Sequence, residues 1–467
     1  MTMAGSVARP MAAVLLATLM AVPALAQAHG RGAHRAHEAL TVEDPMAEVF
    51  VVTARDTWRA GLSALAHDAV PMHSATGQPL VLAKLRAHML PELSRHVHEV
   101  ERRCGGFFAF DSRAEAERFV RTDASRRGIG ARFGGGYTID RQPLVARWMA
   151  QVAEPRIRGT IAHLSTAFPN RYYASSHGRA AAEWIAQEWW RLSWMRRDVT
   201  VELFEACGNC GIQPSVILTI PGRELAEEIV VVGGHLDSIS SSSPGGVMDA
   251  PGADDDASGI ATMTEVLRIA LRDGWQPKRT VQFMAYAAEE VGLRGSRAIA
   301  QAYAAQDRNV VGVLQMDMTN YRAAGASTTV RVMSDNSNAA QVQFMRDLFA
   351  EYMAPQGHTL GTSSCGYACS DHASWTQAGF PAGMYDEGPF FPLLHTPNDT
   401  LANLGGNASH ATVIAKLGLA FVAELAKETD DRQRGRPPVT RPPGDGPPRG
   451  GRSHPGLPAA RVPAGTR

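Results

Sequence analysis

Two histidines and a set of carboxylates recur in this chain, most of them behind apolar runs, and those residue types suit one chemistry above others. Val231-Val232-Gly233-Gly234 leads into His235-Leu236-Asp237. Asp254-Asp255-Asp256 comes next, then Glu289-Glu290 behind Phe283-Met284-Ala285-Tyr286-Ala287. Asp317 follows Leu314-Gln315-Met316, and His395 opens His395-Thr396-Pro397-Asn398-Asp399. Imidazole and carboxylate together suit a pair of divalent metals, zinc first among them. Two metals with a spare carboxylate can activate water for hydrolysis.

Each motif has a plainer explanation when taken alone. His235 and Asp237 alternate along one strand end, so both do not face one metal. In the simplest arrangement His235 is the ligand and Asp237 holds its imidazole from behind. Structural hydrogen bonding at a strand end explains an isolated pair better. Three consecutive acids exceed what a helix N-terminus needs, and their mutual repulsion calls for a cation. Adjacent Glu289 and Glu290 diverge, so one can bind metal while the other faces the attacking water. Asp317 and His395 gain weight only by completing the set.

The elements that would position these residues follow an α/β rhythm. Residues 199–204, 215–220, 228–232, 280–287, 310–318 and 328–334 read as strands. Helices are predicted at 145–152, 178–192, 257–272, 295–305, 339–352, 372–378 and 411–427. Strands alternating with helices predict an α/β fold with a mostly parallel central sheet covered on both faces. In such sheets, sites form at the carboxyl ends of strands, where His235, Glu290 and Asp317 fall.

The flanks have a different character. Arg9, the apolar run 11–22 and Ala24-Leu25-Ala26 form a signal-peptide pattern, so residues 1–26 are expected to be removed on export. No later run reads as long enough to span a bilayer. Residues 27–140 read as a smaller, moderately helical N-terminal region with helices near 91–104 and 113–121. It ends in a basic, glycine-rich stretch, 126–136, suited to a linker or processing site. Residues 141–429 form the α/β domain, and 430–467 are a Pro/Arg/Gly-rich tail expected to be disordered.

Lys plus Arg and Asp plus Glu number 46 each in 467 residues, which gives no electrostatic reason to propose nucleic acid or membrane surfaces as partners. Export permits disulfides. Cys207/Cys210 and Cys365/Cys369 are two local pairs, and Cys104 is left over. Cys207-Gly208-Asn209-Cys210 reads as a short disulfide rather than a redox motif or half a zinc knuckle, because no second such motif follows.

Over residues 142–427 these motifs, in this order, resemble the secreted bacterial leucyl aminopeptidases of the co-catalytic di-zinc exopeptidase family. The resemblance implies two zinc ions, one held by His235, Asp317 and a shared Asp255, the other by Glu290, His395 and Asp255. Asp255 is selected by the pattern Asp-x-x-Ser-Gly ending at Ser258-Gly259, and the family implies a cis bond after it. Glu289 becomes the general base that activates a zinc-bridged water, and Asp237 supports His235. Cys365 and Cys369 become a disulfide whose Tyr367 donates its hydroxyl to the tetrahedral oxyanion. Met318, Met384, Phe390, Phe391 and Leu394 offer an apolar lining for a Leu-like first side chain.

By the same resemblance, residues 27–140 are a propeptide removed by a processing protease. The chain is then a monomeric zymogen acting outside the cytoplasm, extracellular or periplasmic, on peptides with a free N-terminus. Other chemistries on this fold are carboxypeptidase and glutaminyl cyclase activity, and a catalytically dead binding ectodomain. The complete ligand set disfavours the cyclase, and retention of Glu289 disfavours the ectodomain.

Overall fold

The computed structural model describes residues 44–101, 105–122, 136–240 and 248–429. The signal-like segment, Cys104, most of the basic glycine-rich stretch and the C-terminal tail lie outside the described residues.

Eight strands form the main sheet: β5 Thr200–Phe204, β6 Ser215–Ile220, β7 Leu225–His235, β8 Arg279–Tyr286, β9 Asn309–Met316, β10 Val330–Met333, β11 Leu360–Ser363 and β12 Ala382–Asp386. Their order is β11-β10-β12-β9-β7-β8-β6-β5. β7 lies parallel to both β8 and β9, and β9 parallel to β12, so the centre is parallel. β5–β6, β6–β8 and β10–β12 are antiparallel.

Burial on both faces explains why the central strands are continuously apolar. On β7, Val230 and Val232 enter the larger core, packed by helices Glu154–Ala167, Ala257–Arg272 and Ser409–Ala426. Ile229 and Val231 face the opposite way, towards Ile299 and Tyr303 of helix Arg294–Ala305 and Trp375 of helix His372–Gln377. Helix Ser409–Ala426 is apolar and long enough to cross a membrane, contrary to the expectation from sequence. It is 83% buried within the protein, however, and its apolarity serves the core.

The N-terminal region departs more from expectation. Its helices Leu90–His96 and Arg113–Arg121 accompany a four-stranded antiparallel sheet. The sheet comprises β1 Glu48–Ala54, β2 His67–His73, β3 Pro79–Arg86 and β4 Phe107–Phe110, in the order β2-β3-β1-β4. β3 and β4 are buried in continuous runs rather than at alternate positions, so no period-2 pattern marks them. The sheet packs against loops of the larger fold. Gly106 N donates to Ala368 O (2.7 Å), Ala109 N to Gly292 O (3.3 Å), and Arg297 Nη1 to Ala109 O (2.6 Å).

Candidate metal centre

β7 ends at His235 and β9 at Met316, one residue before Asp317. The acid triad sits at the start of helix Ala257–Arg272, with Asp256 as its N-cap accepting from Gly259 N. Gly259 is required there, because a Cβ would strike the Asp256 carboxylate and Met316 O. The Asp255–Asp256 peptide is cis, as the resemblance implies.

The structure gathers His235, Asp255, Glu290, Asp317 and His395 into one buried cluster. His235 Nε2 lies 2.9 Å from Asp255 Oδ1 and 3.4 Å from Asp317 Oδ1. His395 Nε2 lies 3.1 Å from Asp255 Oδ2 and 3.0 Å from Glu290 Oε2. Asp255 therefore presents one oxygen to each imidazole, with a further carboxylate beside each. Two metal-compatible donor groups can be drawn here: His235, Asp255 and Glu290, or His235, Asp256 and Asp317. Hydrogen bonding argues against Asp256 as a donor. Its Oδ2 accepts His235 N (3.0 Å), while its Oδ1 accepts Gly259 N (2.8 Å) and Met318 N (3.2 Å).

Asp237 does more than the sequence reading assigns it. The nearest acceptor to His235 Nδ1 is the Asp237 backbone carbonyl at 3.2 Å, with the carboxylate at 3.5 Å. The carboxylate itself straddles the acid pair opposite, accepting Glu289 N (2.9 Å) and Glu290 N (3.1 Å). Asp399 repeats this device, accepting Asp254 N (2.9 Å) and Asp255 N (3.2 Å). Ser370 Oγ donates to Asp317 Oδ2 (2.6 Å), so Ser370 aims that carboxylate. None of these clamps is visible in sequence without the fold.

The charge balance calls for cations. Asp237, Asp254, Asp255, Asp256, Glu289, Glu290, Asp317, Asp371, Glu387 and Asp399 are all buried. Burial pushes Glu289 well above the usual carboxylate range, and Asp254 and Glu290 each up to about 7. Burial also works to raise Asp255, but the His235 and His395 imidazoles outweigh it and hold it low. Fully buried Arg171 supplies one compensating charge, which the sequence reading missed. It donates to Leu236 O (2.9 Å), Pro251 O (2.6 Å) and Gly252 O (2.9 Å), tying the His235 loop to the acid loop. Glu289 Oε1, Glu290 Oε1 and Asp317 Oδ1 are buried without a hydrogen-bond partner. Buried anionic oxygens of this kind suit a divalent cation.

The remaining sequence candidates divide. Met318, Phe391 and Leu394 form one apolar cluster with Phe390 packed against it, whereas Met384 joins Met333 and the Cys365–Cys369 disulfide. Cys207–Cys210 is also disulfide-bonded. Tyr367 is buried in the cluster beneath the N-terminal sheet, its ring edge-on to Phe108 of β4 at 5.8 Å. From the same region, His98 lays its ring against His395, 4.8 Å between centroids.

An α/β fold presenting a buried imidazole–carboxylate cluster at the carboxyl ends of parallel strands offers a site suited to metal-assisted hydrolysis. The model of "Peptidase family M28" matches residues 215–420. Leucine aminopeptidase 1 of Arthroderma otae is 39% identical over 297 residues, covering 60% of this chain and 76% of that protein. The probable leucine aminopeptidase of Arthroderma benhamiae is 33% identical over 331 residues, 69% of this chain and 86% of that protein. The crystal structure of LapB from Legionella pneumophila superposes with a TM-score of 0.67 and 27% identity, covering 81% of this chain and 99% of that one. The chain belongs to peptidase family M28. The two curated relatives are fungal, so they carry the family assignment and not the bacterial subgroup named from sequence.

Proposed function

We propose that this chain is a secreted zinc aminopeptidase that binds two ions and removes an apolar, Leu-like residue from peptides with a free N-terminus. The observation that carries this reading is Asp255, with one carboxylate oxygen facing His235 and the other facing His395. The names of the fungal relatives support the exopeptidase activity. His235, Asp317 and Asp255 would hold one ion, and Glu290, His395 and Asp255 the other. When bound, such ions supply Lewis acidity and lower the pKa of water.

The protein's own groups do the rest. Glu289, raised by burial and fixed through its backbone by Asp237, takes the proton of the attacking water and returns it to the leaving amine. Tyr367 donates to the oxyanion, and Met318, Phe390, Phe391 and Leu394 receive the first side chain. Residues 1–26 direct export, residues 27–140 act as a propeptide, and the mature enzyme is a monomer. The contact of His98 with His395 supports a restraining role for that N-terminal region.

The test is hydrolysis of leucyl and N-blocked leucyl p-nitroanilide, with and without chelator. Leucyl cleavage should vanish on chelation and return with zinc. Equal cleavage of the blocked substrate would sink the exopeptidase reading, and full activity after exhaustive demetallation would sink the metal mechanism.

A further inference from the structure

A cavity of about 630 Å³ is lined in part by His98, whose ring is packed at a tilt against His395 of the candidate centre. One wall is apolar, from Met333, Phe390 and Phe391. The other carries Arg331 of β10 and Asp386 of β12, which face each other in register. The two charges are in different situations. Asp386 is buried and already accepts Gly388 N (2.8 Å) and a hydrogen bond from Ser363. Arg331 is half-buried, and its guanidinium makes no hydrogen bond or ion pair among the described residues. A guanidinium held at a cavity wall with its donors free matches a carboxylate, which it binds through a planar fork. The chain's own N-terminal region brings an acid to the same place: Glu101, fixed by Thr57 Oγ1 (3.0 Å), lines this cavity.

We propose that this cavity is a substrate subsite that selects a carboxylate through Arg331. The inference rests on the aminopeptidase reading and adds a charge preference to its apolar lining. The carboxylate has two sources, an acidic side chain or the free C-terminus of a short peptide, and the chemistry at Arg331 is the same for both.

Calorimetric titration of the full chain, and of the same chain after proteolytic processing of its N-terminal region, each carrying Glu289→Gln to prevent turnover, tests this with and without Arg331→Gln. Leu-Gly against Leu-Gly amide probes the free terminus. Glu-Gly amide against Gln-Gly amide probes the side chain. In at least one pair, Arg331→Gln should weaken the carboxylate ligand about 10- to 100-fold, the scale of a charge-assisted hydrogen-bonded pair, and leave its neutral partner unchanged. The pair that moves identifies the source. Arg331→Lys, which keeps the charge without the fork, should lose less. The proposal is overturned if neither pair moves. It is also overturned if Lys-Gly amide binds tightest and loses its affinity in Asp386→Asn. Hydrolysis of leucyl p-nitroanilide by the chain with Glu289 intact reports separately on the aminopeptidase reading, so the two can fail independently.

Discussion

Asp237→Asn separates a histidine-supporting role from the clamp on the acid pair. The carboxylate accepts Glu289 N at 2.9 Å and Glu290 N at 3.1 Å, both in a fully buried setting. Asparagine keeps the shape but replaces one oxygen with a carboxamide NH2, so one of the two backbone amides then faces a donor. Losing one bond to a charged acceptor costs about 1.5–3 kcal/mol. The surviving bond falls to neutral strength, about another 1 kcal/mol. The sum, about 2.5–4 kcal/mol, falls on the loop carrying Glu289 and Glu290. It should appear as lower stability in urea unfolding and as metal affinity weakened about 10- to 100-fold in chelator competition. The kcat should fall as well, because Glu289 loses its fixed position. Wild-type unfolding and metal affinity in Asp237→Asn would refute the clamp.

Glu289→Gln should lower kcat by about 10²- to 10⁴-fold with metal content unchanged; loss of metal would mean that Glu289 is itself a ligand. Gly105 has φ +58 and lies against the Ala368 carbonyl, so Gly105→Val should loosen the N-terminal sheet from the disulfide loop. Limited proteolysis should then release the N-terminal region faster than in wild type, and an unchanged rate would contradict the docking. Asp335 accepts from Ser364 Oγ, Cys365 N and Gly366 N, each between 2.6 and 2.7 Å. Burial raises its carboxyl, but these bonds outweigh it and leave the pKa lowered. A group depressed on folding stabilises above its unfolded pKa, and that contribution is lost as pH falls through the folded value. Wild type and Asp335→Asn should therefore differ in unfolding midpoint at neutral pH and converge under strong acid; a constant gap would count against this linkage.

Much of the larger fold was legible because its central strands are apolar runs that end in the functional residues. Val231 through His235 is both a buried strand and a site. Other parts were hidden for identifiable reasons. β11 and β12 are short, and β12, Ala-Gly-Met-Tyr-Asp, is buried at every position, so no alternation marks it. The helix Glu154–Ala167 escaped notice although Ile157, Ile161 and Leu164 lie on one buried face at helical spacing. The N-terminal sheet was hidden because strand propensity depends on what packs against a segment, and the mostly exposed β2 and continuously buried β3 and β4 lack clear alternation. Arg171 could not be found at all from spacing, since its partners are backbone carbonyls up to 81 residues away.

The acid triad shows what sequence pattern and structure each contribute. Three adjacent aspartates offer three candidates for a bridging ligand, and composition cannot rank them. Hydrogen-bond occupancy and position together can. Asp256 commits both oxygens to backbone amides, two of them on Oδ1, so it is the most engaged of the three. Asp254 accepts Asn320 N through Oδ1 (3.2 Å) and keeps a buried Oδ2 without a hydrogen-bond partner, so its position rather than its occupancy sets it apart. Asp255 alone of the three meets both imidazoles. Occupancy also separates Asp237 and Asp399 from the cluster they frame, since each gives its two oxygens to consecutive amides of an acid pair. The buried acids thus fall into two kinds. One kind neutralises backbone donors and fixes loops; the other keeps its oxygens for a cation. A buried site this rich in negative charge calls for a compensating cation, and the first kind of acid holds the second in register to receive it.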